Sequence, residues 1–308
     1  MSSPVAYVRG EYVPLEDAKI SIMTHAFLYG TACFEGIRAY WNSDKEQLYV
    51  FRLLEHFKRL KNSTKITRIF LDQTAEELSE ITLEILRKSG FWGNDVYIRP
   101  VAYKSGLGIG VKLTGVANDF CCFATAYGKY IDTSKGLNVR VSSWAHVEDN
   151  CIPMRAKING AYINASLAKS EAQDDGYDEA IFMNRDGHVS EGSAENLFLV
   201  RDGKLITPSV SSHILEGITR ATLIELAAKE LGVECVERTI DRSELYICEE
   251  AFICGTGAEL APIVTVDKVP VGSGKVGPIA SSLQNLYYEA VRGKSDKYLH
   301  WCTPVLSK

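Results

Sequence analysis

Arg185-Asp186-Gly187-His188-Val189-Ser190-Glu191-Gly192-Ser193-Ala194-Glu195-Asn196-Leu197-Phe198-Leu199-Val200-Arg201-Asp202-Gly203 carries two Arg-Asp-Gly turns with apolar, strand-like residues between and around them. An Asp-Gly pair supplies the left-handed backbone that a tight hairpin needs, so this stretch reads as successive antiparallel strands. Working outward, residues 139–144 and 250–254 also read as strands. Helices are expected over 160–175, closed by Gly176, over 219–231, closed by Gly232, and over 278–292, with a short one capped by Asp241. A doubly wound parallel sheet would repeat strand–helix units; hairpins mixed with helices point instead to an α+β fold.

Toward the N-terminus, residues 5–13, 47–51, 96–103 and 119–126 read as strands and 53–68 as a helix rich in Lys and Arg. Thr74-Ala75-Glu76-Glu77 is a capping box whose helix ends at Lys88-Ser89-Gly90. The pattern breaks around Tyr127-Gly128-Lys129-Tyr130. Three parts follow: a small N-terminal domain over 1–126, a hinge loop over 127–136 and a larger domain over 137–308.

The chain has 308 residues, 46% hydrophobic and 24% charged, with a net charge of −5. No basic tract offers a surface for nucleic acid or acidic lipid, and no run is long and apolar enough for a membrane span, so a cytoplasmic protein is expected. The eight cysteines form no Cys-x-x-Cys pair; they read as reduced thiols rather than metal ligands, and no metal is expected.

Three features could carry chemistry. Lys157, in Pro153-Met154-Arg155-Ala156-Lys157-Ile158-Asn159-Gly160, lies between a strand and a helix among apolar neighbours. It is either a solvated loop residue or a desolvated amine of the kind that condenses with an aldehyde cofactor. The Ser190-Glu191-Gly192 to Glu195-Asn196 loop is either a polar turn or a carboxylate set against a ring nitrogen. Leu215-Glu216-Gly217-Ile218-Thr219-Arg220 opens directly into a helix. It is either an ordinary N-cap or an anion site, and Gly255-Thr256-Gly257-Ala258 after a strand offers a second nest of N–H groups. Arg59 could close a phosphate cup with its guanidinium fork. Gly106-Leu107-Gly108-Ile109-Gly110 has the glycines of a dinucleotide loop, but no amphipathic helix follows it and no acidic residue stands at the expected distance.

Taken together these residues resemble the class IV pyridoxal-phosphate enzymes, and among them the branched-chain amino acid aminotransferases. The resemblance spans nearly the whole chain. It runs from His25-Ala26-Phe27-Leu28-Tyr29-Gly30 through Phe34-Glu35-Gly36-Ile37-Arg38 and Tyr97-Ile98-Arg99-Pro100 to Trp301-Cys302-Thr303-Pro304. It implies a two-domain fold of type IV, with a small N-terminal α/β domain and a larger barrel-like α/β domain. It also implies pyridoxal 5′-phosphate as cofactor and a homodimer or an oligomer built of dimers.

By resemblance, Lys157 is the Schiff-base lysine, Glu191 the partner of the pyridine nitrogen and Tyr162 the neighbour of the phenolic oxygen. Arg59, Gly217, Ile218, Thr219, Gly255 and Thr256 form the phosphate cup. Tyr97, with the backbone of Gly257 and Ala258, takes the substrate α-carboxylate, and Arg99 the distal carboxylate of glutamate. Phe34, Gly36, Tyr29, Tyr127, Tyr130, Leu107 and Ile109 wall the side-chain pocket, the 107–109 loop reaching into a partner subunit's site. The expected activity is transamination of leucine, isoleucine and valine with 2-oxoglutarate. Transamination of D-amino acids or (R)-amines, and β-elimination in the manner of aminodeoxychorismate lyase, are the alternatives. Asn159-Gly160-Ala161, Gly257 and Tyr127 depart from common family residues, and all three bear on substrate breadth.

Overall fold

A computed structural model describes residues 4–128 and 135–306. The chain divides into two compact units, the first comprising Met1–Gly128, Ala156–Gly160 and Glu289–Lys308, the second Lys129–Arg155 and Ala161–Tyr288. The first long piece ends at Gly128. Two later pieces, however, join the first unit rather than the larger second one, and backbone pairing is the reason. Ile158 bridges to Cys33, and the strand Cys302–Pro304 pairs with Gln47–Phe51.

The first unit is built on an antiparallel sheet of eight strands. Along it run Cys302–Pro304, Gln47–Phe51, Ile37–Asn42, Val96–Lys104, Asn118–Ala126, Val5–Val8 and Glu11–Pro14, with Ala32–Phe34 also on Val96–Lys104. Residues 5–13 are thus a hairpin, not one strand. Arg9 and Gly10 sit at φ 54° and 82°, the left-handed pair that turns the chain back. The helices Leu53–Ile66 and Ala75–Ser89 follow their expected bounds closely. At the second, the Thr74 hydroxyl accepts from Glu77 N at 3.1 Å while the Glu77 carboxylate accepts from Thr74 N at 2.7 Å. Gly90 closes it at φ 65°. Leu60, Leu78, Ile85 and Leu86 from these helices pack on Ile37, Val50, Val96, Ile98 and Phe120 of the sheet.

The second unit holds a mixed nine-stranded sheet. Its order is Val189–Gly192, Glu179–Met183, Leu137–Ala145, Glu259–Val266, Glu250–Gly255, Asn196–Arg201, Lys204–Thr207 and Cys235–Glu237, with Val269–Pro270 beside Glu259–Val266. Both Arg-Asp-Gly turns sit at hairpins, and the neighbours of Leu137–Ala145 run parallel to it. The helices are Tyr162–Asp174, Ile218–Leu226 with a wider turn to Leu231, and Pro278–Val291. Among the described residues no helix is long and apolar enough to cross a membrane. No group of His, Cys, Asp and Glu among them could hold a metal ion.

The last of these helices is started by a buried side chain. Both Glu250 carboxylate oxygens accept backbone N–H groups, from Ile279 at 3.0 Å and Ala280 at 2.8 Å. A negative charge there also meets the positive end of the helix dipole. Gly277 is required because a Cβ would lie 2.1 Å from the Glu250 Cδ. Glu250→Ala should therefore lower the unfolding free energy by about 1–3 kcal/mol, the cost of orphaning buried donors. Gly277→Val should cost at least as much. Denaturant titration of both variants checks this.

Candidate active site

In the first unit, a strand with a two-residue period positions the site. Val96, Ile98 and Ala102 enter the core, so Tyr97 and Arg99 between them face the other side. Arg99 Nη2 donates to the Tyr97 hydroxyl at 2.7 Å, and its guanidinium lies 4.3 Å from the Phe34 ring centroid. The Tyr127 ring is 5.3 Å from that of Tyr97. Gly36 makes room for this cluster, since a Cβ there would come within 2.5 Å of the Tyr97 hydroxyl.

Lys157 joins the same cluster through its backbone. Its carbonyl accepts from Phe34 N at 3.0 Å, and its N–H donates to Ser63 Oγ at 3.2 Å. The Lys157 ammonium sits 5.0 Å above the Phe34 ring. Just beyond, Gly160 N donates to the Gly30 carbonyl at 3.1 Å. A Cβ on Gly30 would lie 2.8 Å from the Gly160 Cα, so glycine at 30 is what lets the two backbones touch.

Arg59 is held in a way the sequence did not foretell. Its Nε and Nη2 each donate at 2.7 Å to the two oxygens of Glu35. Glu35 is fully buried and also meets His56 Nδ1 at 2.8 Å. Burial pushes the Glu35 carboxyl up, but the Arg59 charge and the hydrogen bonds from Arg59 and His56 outweigh it and hold it at about 2. Burial pushes the His56 imidazole down, against the pull of Glu35. The signal for this trio was a glutamate inside the apolar run Ala32-Cys33-Phe34-Glu35.

The 106–110 loop makes its own cluster in this unit. Gly110 N donates to the Tyr29 hydroxyl at 2.8 Å, and the Gly110 carbonyl lies 2.8 Å from His25 Nε2. Leu107 and Ile109 are 65% and 93% exposed on the chain, and Met23, Phe27 and Leu28 are exposed with them. Tyr130, assigned to the pocket wall from the sequence, lies outside the described residues, as does most of the 127–136 loop.

The second unit gathers the other group. Glu191 is buried on Val189–Gly192, and its Oε2 accepts from Asn196 Nδ2 at 2.8 Å and from Leu215 N at 3.2 Å. Asn196 Nδ2 also reaches the Leu215 carbonyl at 2.9 Å, which ties the Glu191 loop to Gly217-Ile218-Thr219. Gly217 is the N-cap of Ile218–Leu226 and has no side-chain cap of its own. A Cβ on it would lie 1.9 Å from Asn196 Oδ1, so this cradle admits only glycine. Thr219 is buried in the first turn. Thr256, Gly257 and Ala258 form the turn between Glu250–Gly255 and Glu259–Val266. A Cβ on Gly255 would lie 3.4 Å from the Ala194 carbonyl, so this turn lies close to the loop that follows Glu191. Tyr162 opens the helix Tyr162–Asp174. Asn196 organises this group, a role that its place in the sequence motif does not reveal.

The Glu35 pair has a pH signature. A carboxyl lowered by folding stabilises fully above its ordinary value and ceases to do so as pH falls through the folded one. Glu35 therefore contributes above about pH 4.5 and is lost down to about 2. Glu35→Gln should lower stability at pH 7 and flatten the acid limb of the stability profile, read by thermal melts from pH 2 to 7.

Residues 32–266 match the model of the amino-transferase class IV family. A probable branched-chain-amino-acid aminotransferase of Aquifex aeolicus is 52% identical over 307 residues, covering 100% of this chain and 98% of the relative. The branched-chain aminotransferase of Thermoproteus uzoniensis, crystallised with norvaline, superposes with a TM-score of 0.94 at 43% identity, over 99% of this chain and 100% of that one. The branched-chain amino acid aminotransferase of Thermobaculum terrenum, in its PLP holo-form, also gives 0.94, at 37% identity and over 99% of both chains. The mixed α/β architecture is thus that of these enzymes, and the chain belongs to the class IV aminotransferases, within them to the branched-chain-amino-acid aminotransferases.

Proposed function

We propose that the chain transfers amino groups between the branched-chain L-amino acids and 2-oxoglutarate, using pyridoxal 5′-phosphate held on Lys157. The observation that carries this reading is the buried Glu191 carboxylate, oriented by Asn196 and Leu215 N and linked by the same asparagine to the glycine-only cradle at Gly217. A carboxylate so held suits a protonated ring nitrogen, and the uncapped helix start beside it suits a phosphate. Bound pyridoxal 5′-phosphate supplies an aldehyde that takes up the amino group and a ring that withdraws electrons from the substrate Cα.

The chain's own residues supply the rest. Lys157 Nζ would hold the cofactor through its aldehyde carbon and, when free of it, would take and return the proton at the substrate Cα. Glu191 would keep the ring nitrogen protonated, and Tyr162 would serve the phenolic oxygen. Gly217, Ile218, Thr219, Gly255 and Thr256 offer N–H and hydroxyl donors to the phosphate. Arg59, aimed by Glu35, adds a guanidinium. Tyr97, with Gly257 and Ala258, binds the α-carboxylate. Phe34, Gly36, Tyr29, Tyr127, Tyr130, Leu107 and Ile109 wall the side-chain pocket. Arg99 at its edge takes the distal carboxylate of glutamate, so one pocket accepts both apolar and acidic side chains. Residues 127–136 connect the small domain to the cofactor domain.

The exposed Met23, Phe27, Leu28, Leu107 and Ile109 favour a homodimer, because a contiguous apolar patch of this kind is covered in stable proteins. A cytoplasmic setting accords with eight thiols free of disulfides.

A half-reaction assay tests the reading directly. L-leucine and L-glutamate should each shift the bound cofactor from its aldehyde to its amine spectrum. Conversion by D-alanine or an (R)-amine alone would overturn the substrate assignment. Lys157→Ala should abolish borohydride trapping of the cofactor on the chain. Arg99→Leu should raise KM for 2-oxoglutarate about 10- to 100-fold, the worth of a charged hydrogen bond, while sparing the leucine half-reaction. Leu107→Glu with Ile109→Glu should move the sedimenting species toward monomer.

A further inference from the structure

His146 stands behind Glu191 and has no part in the chemistry above. It follows the strand Leu137–Ala145, and its backbone N–H donates to the Met183 carbonyl at 2.9 Å. Its ring is buried against Phe182, with centroids 4.8 Å apart. Nδ1 lies 3.2 Å from Ser190 Oγ, and Nε2 lies 3.6 Å from Glu191 Oε1.

The proton inventory around this ring is closed by Ser190. A serine hydroxyl has one proton, and Ser190 Oγ donates it to the Ser212 carbonyl at 2.8 Å. The contact with His146 must then run the other way, with Nδ1–H donating to the serine oxygen. A neutral imidazole with its proton on Nδ1 has a bare lone pair at Nε2, the atom turned toward Glu191. Neutrality is supported by the surroundings. Burial pushes the imidazole down to about 4, the charge of His213 acts in the same direction, and a hydrogen bond from the ring to the His213 backbone acts against both. Among the described residues, Glu191 and His213 are the ionisable groups placed against it.

We propose that His146 is a positioning residue for Glu191: Ser190 and Ser212 fix its tautomer so that a bare Nε2, and not an N–H, faces the carboxylate. An N–H at that place would draw on one of the carboxylate's lone pairs and weaken it as acceptor of the cofactor's ring N–H. A lone pair facing it does the opposite and keeps the carboxylate basic. The functional half of this statement rests on the cofactor reading above; the tautomer does not.

The test is nitrogen-15 NMR of histidine-labelled protein, first without cofactor and then loaded, with the His146→Leu spectrum identifying the resonance. At pH 7 the wild type should show a neutral Nδ1–H imidazole that titrates well below the ordinary histidine range. Ser190→Ala should convert it to the Nε2–H tautomer and speed release of the cofactor about 3- to 10-fold, the scale of one net hydrogen bond. An Nε2–H or a charged imidazole in the wild type overturns the proposal, as does a Ser190→Ala protein whose tautomer is unchanged. A merely structural histidine would switch its tautomer on loss of the serine and leave the rate of cofactor release unchanged, and that outcome overturns the positioning role. Failure of borohydride trapping at Lys157 would sink the cofactor reading while leaving the tautomer result standing.

Discussion

The side-chain amide of Asn196 is the contact on which the Glu191 and Gly217 loops of the second unit depend. One NH2 group serves both the Glu191 carboxylate and the Leu215 carbonyl, and the amide oxygen fills the space that a side chain at Gly217 would need. Two loops separated in sequence are thereby fixed to each other: one carries an anion and the other opens a helix whose first N–H groups attract anions. Without the amide, a buried carboxylate would lose a donor and the helix start would lose its register.

In the first unit the corresponding constraint is the alternation of the strand Val96–Lys104. Because Val96, Ile98 and Ala102 are committed to the core, Tyr97 and Arg99 have one face left to them, and a slip of one residue would bury a guanidinium. Phe34 then serves two cations, the Arg99 guanidinium and the Lys157 ammonium, across one aromatic ring. Glu35, next in sequence, points into the protein and takes Arg59. Two adjacent residues of one strand end thus hold three cations, Phe34 the Arg99 and Lys157 side chains and Glu35 that of Arg59.

Local signals were the legible part of the sequence. The Thr74 capping box, the Arg-Asp-Gly hairpins and the glycines that end helices each act within a few residues, so spacing alone reveals them. The strands Ile37–Asn42 and Glu259–Val266 are buried on both faces, show no two-residue period and were not read as strands at all. The Arg9–Gly10 turn lacked the usual Asn or Asp. The Glu35–Arg59–His56 trio joins residues from a strand end and a helix, and nothing in their spacing marks them as partners. The roles of the site residues came from family resemblance; spacing and composition had left each loop with two meanings.

The C-terminal strand Cys302–Pro304 completes a sheet whose neighbouring strand, Gln47–Phe51, is made early. Asn42 donates to the Arg292 carbonyl, and Asp95 holds the Arg292 guanidinium, so the late segment is tied in by side chains too. The first unit therefore closes this edge only through a pairing between strands far apart in sequence. Until then Gln47–Phe51 is an open edge able to pair with the wrong strand. Until that pairing forms, this edge is the part of the first unit able to associate with another chain.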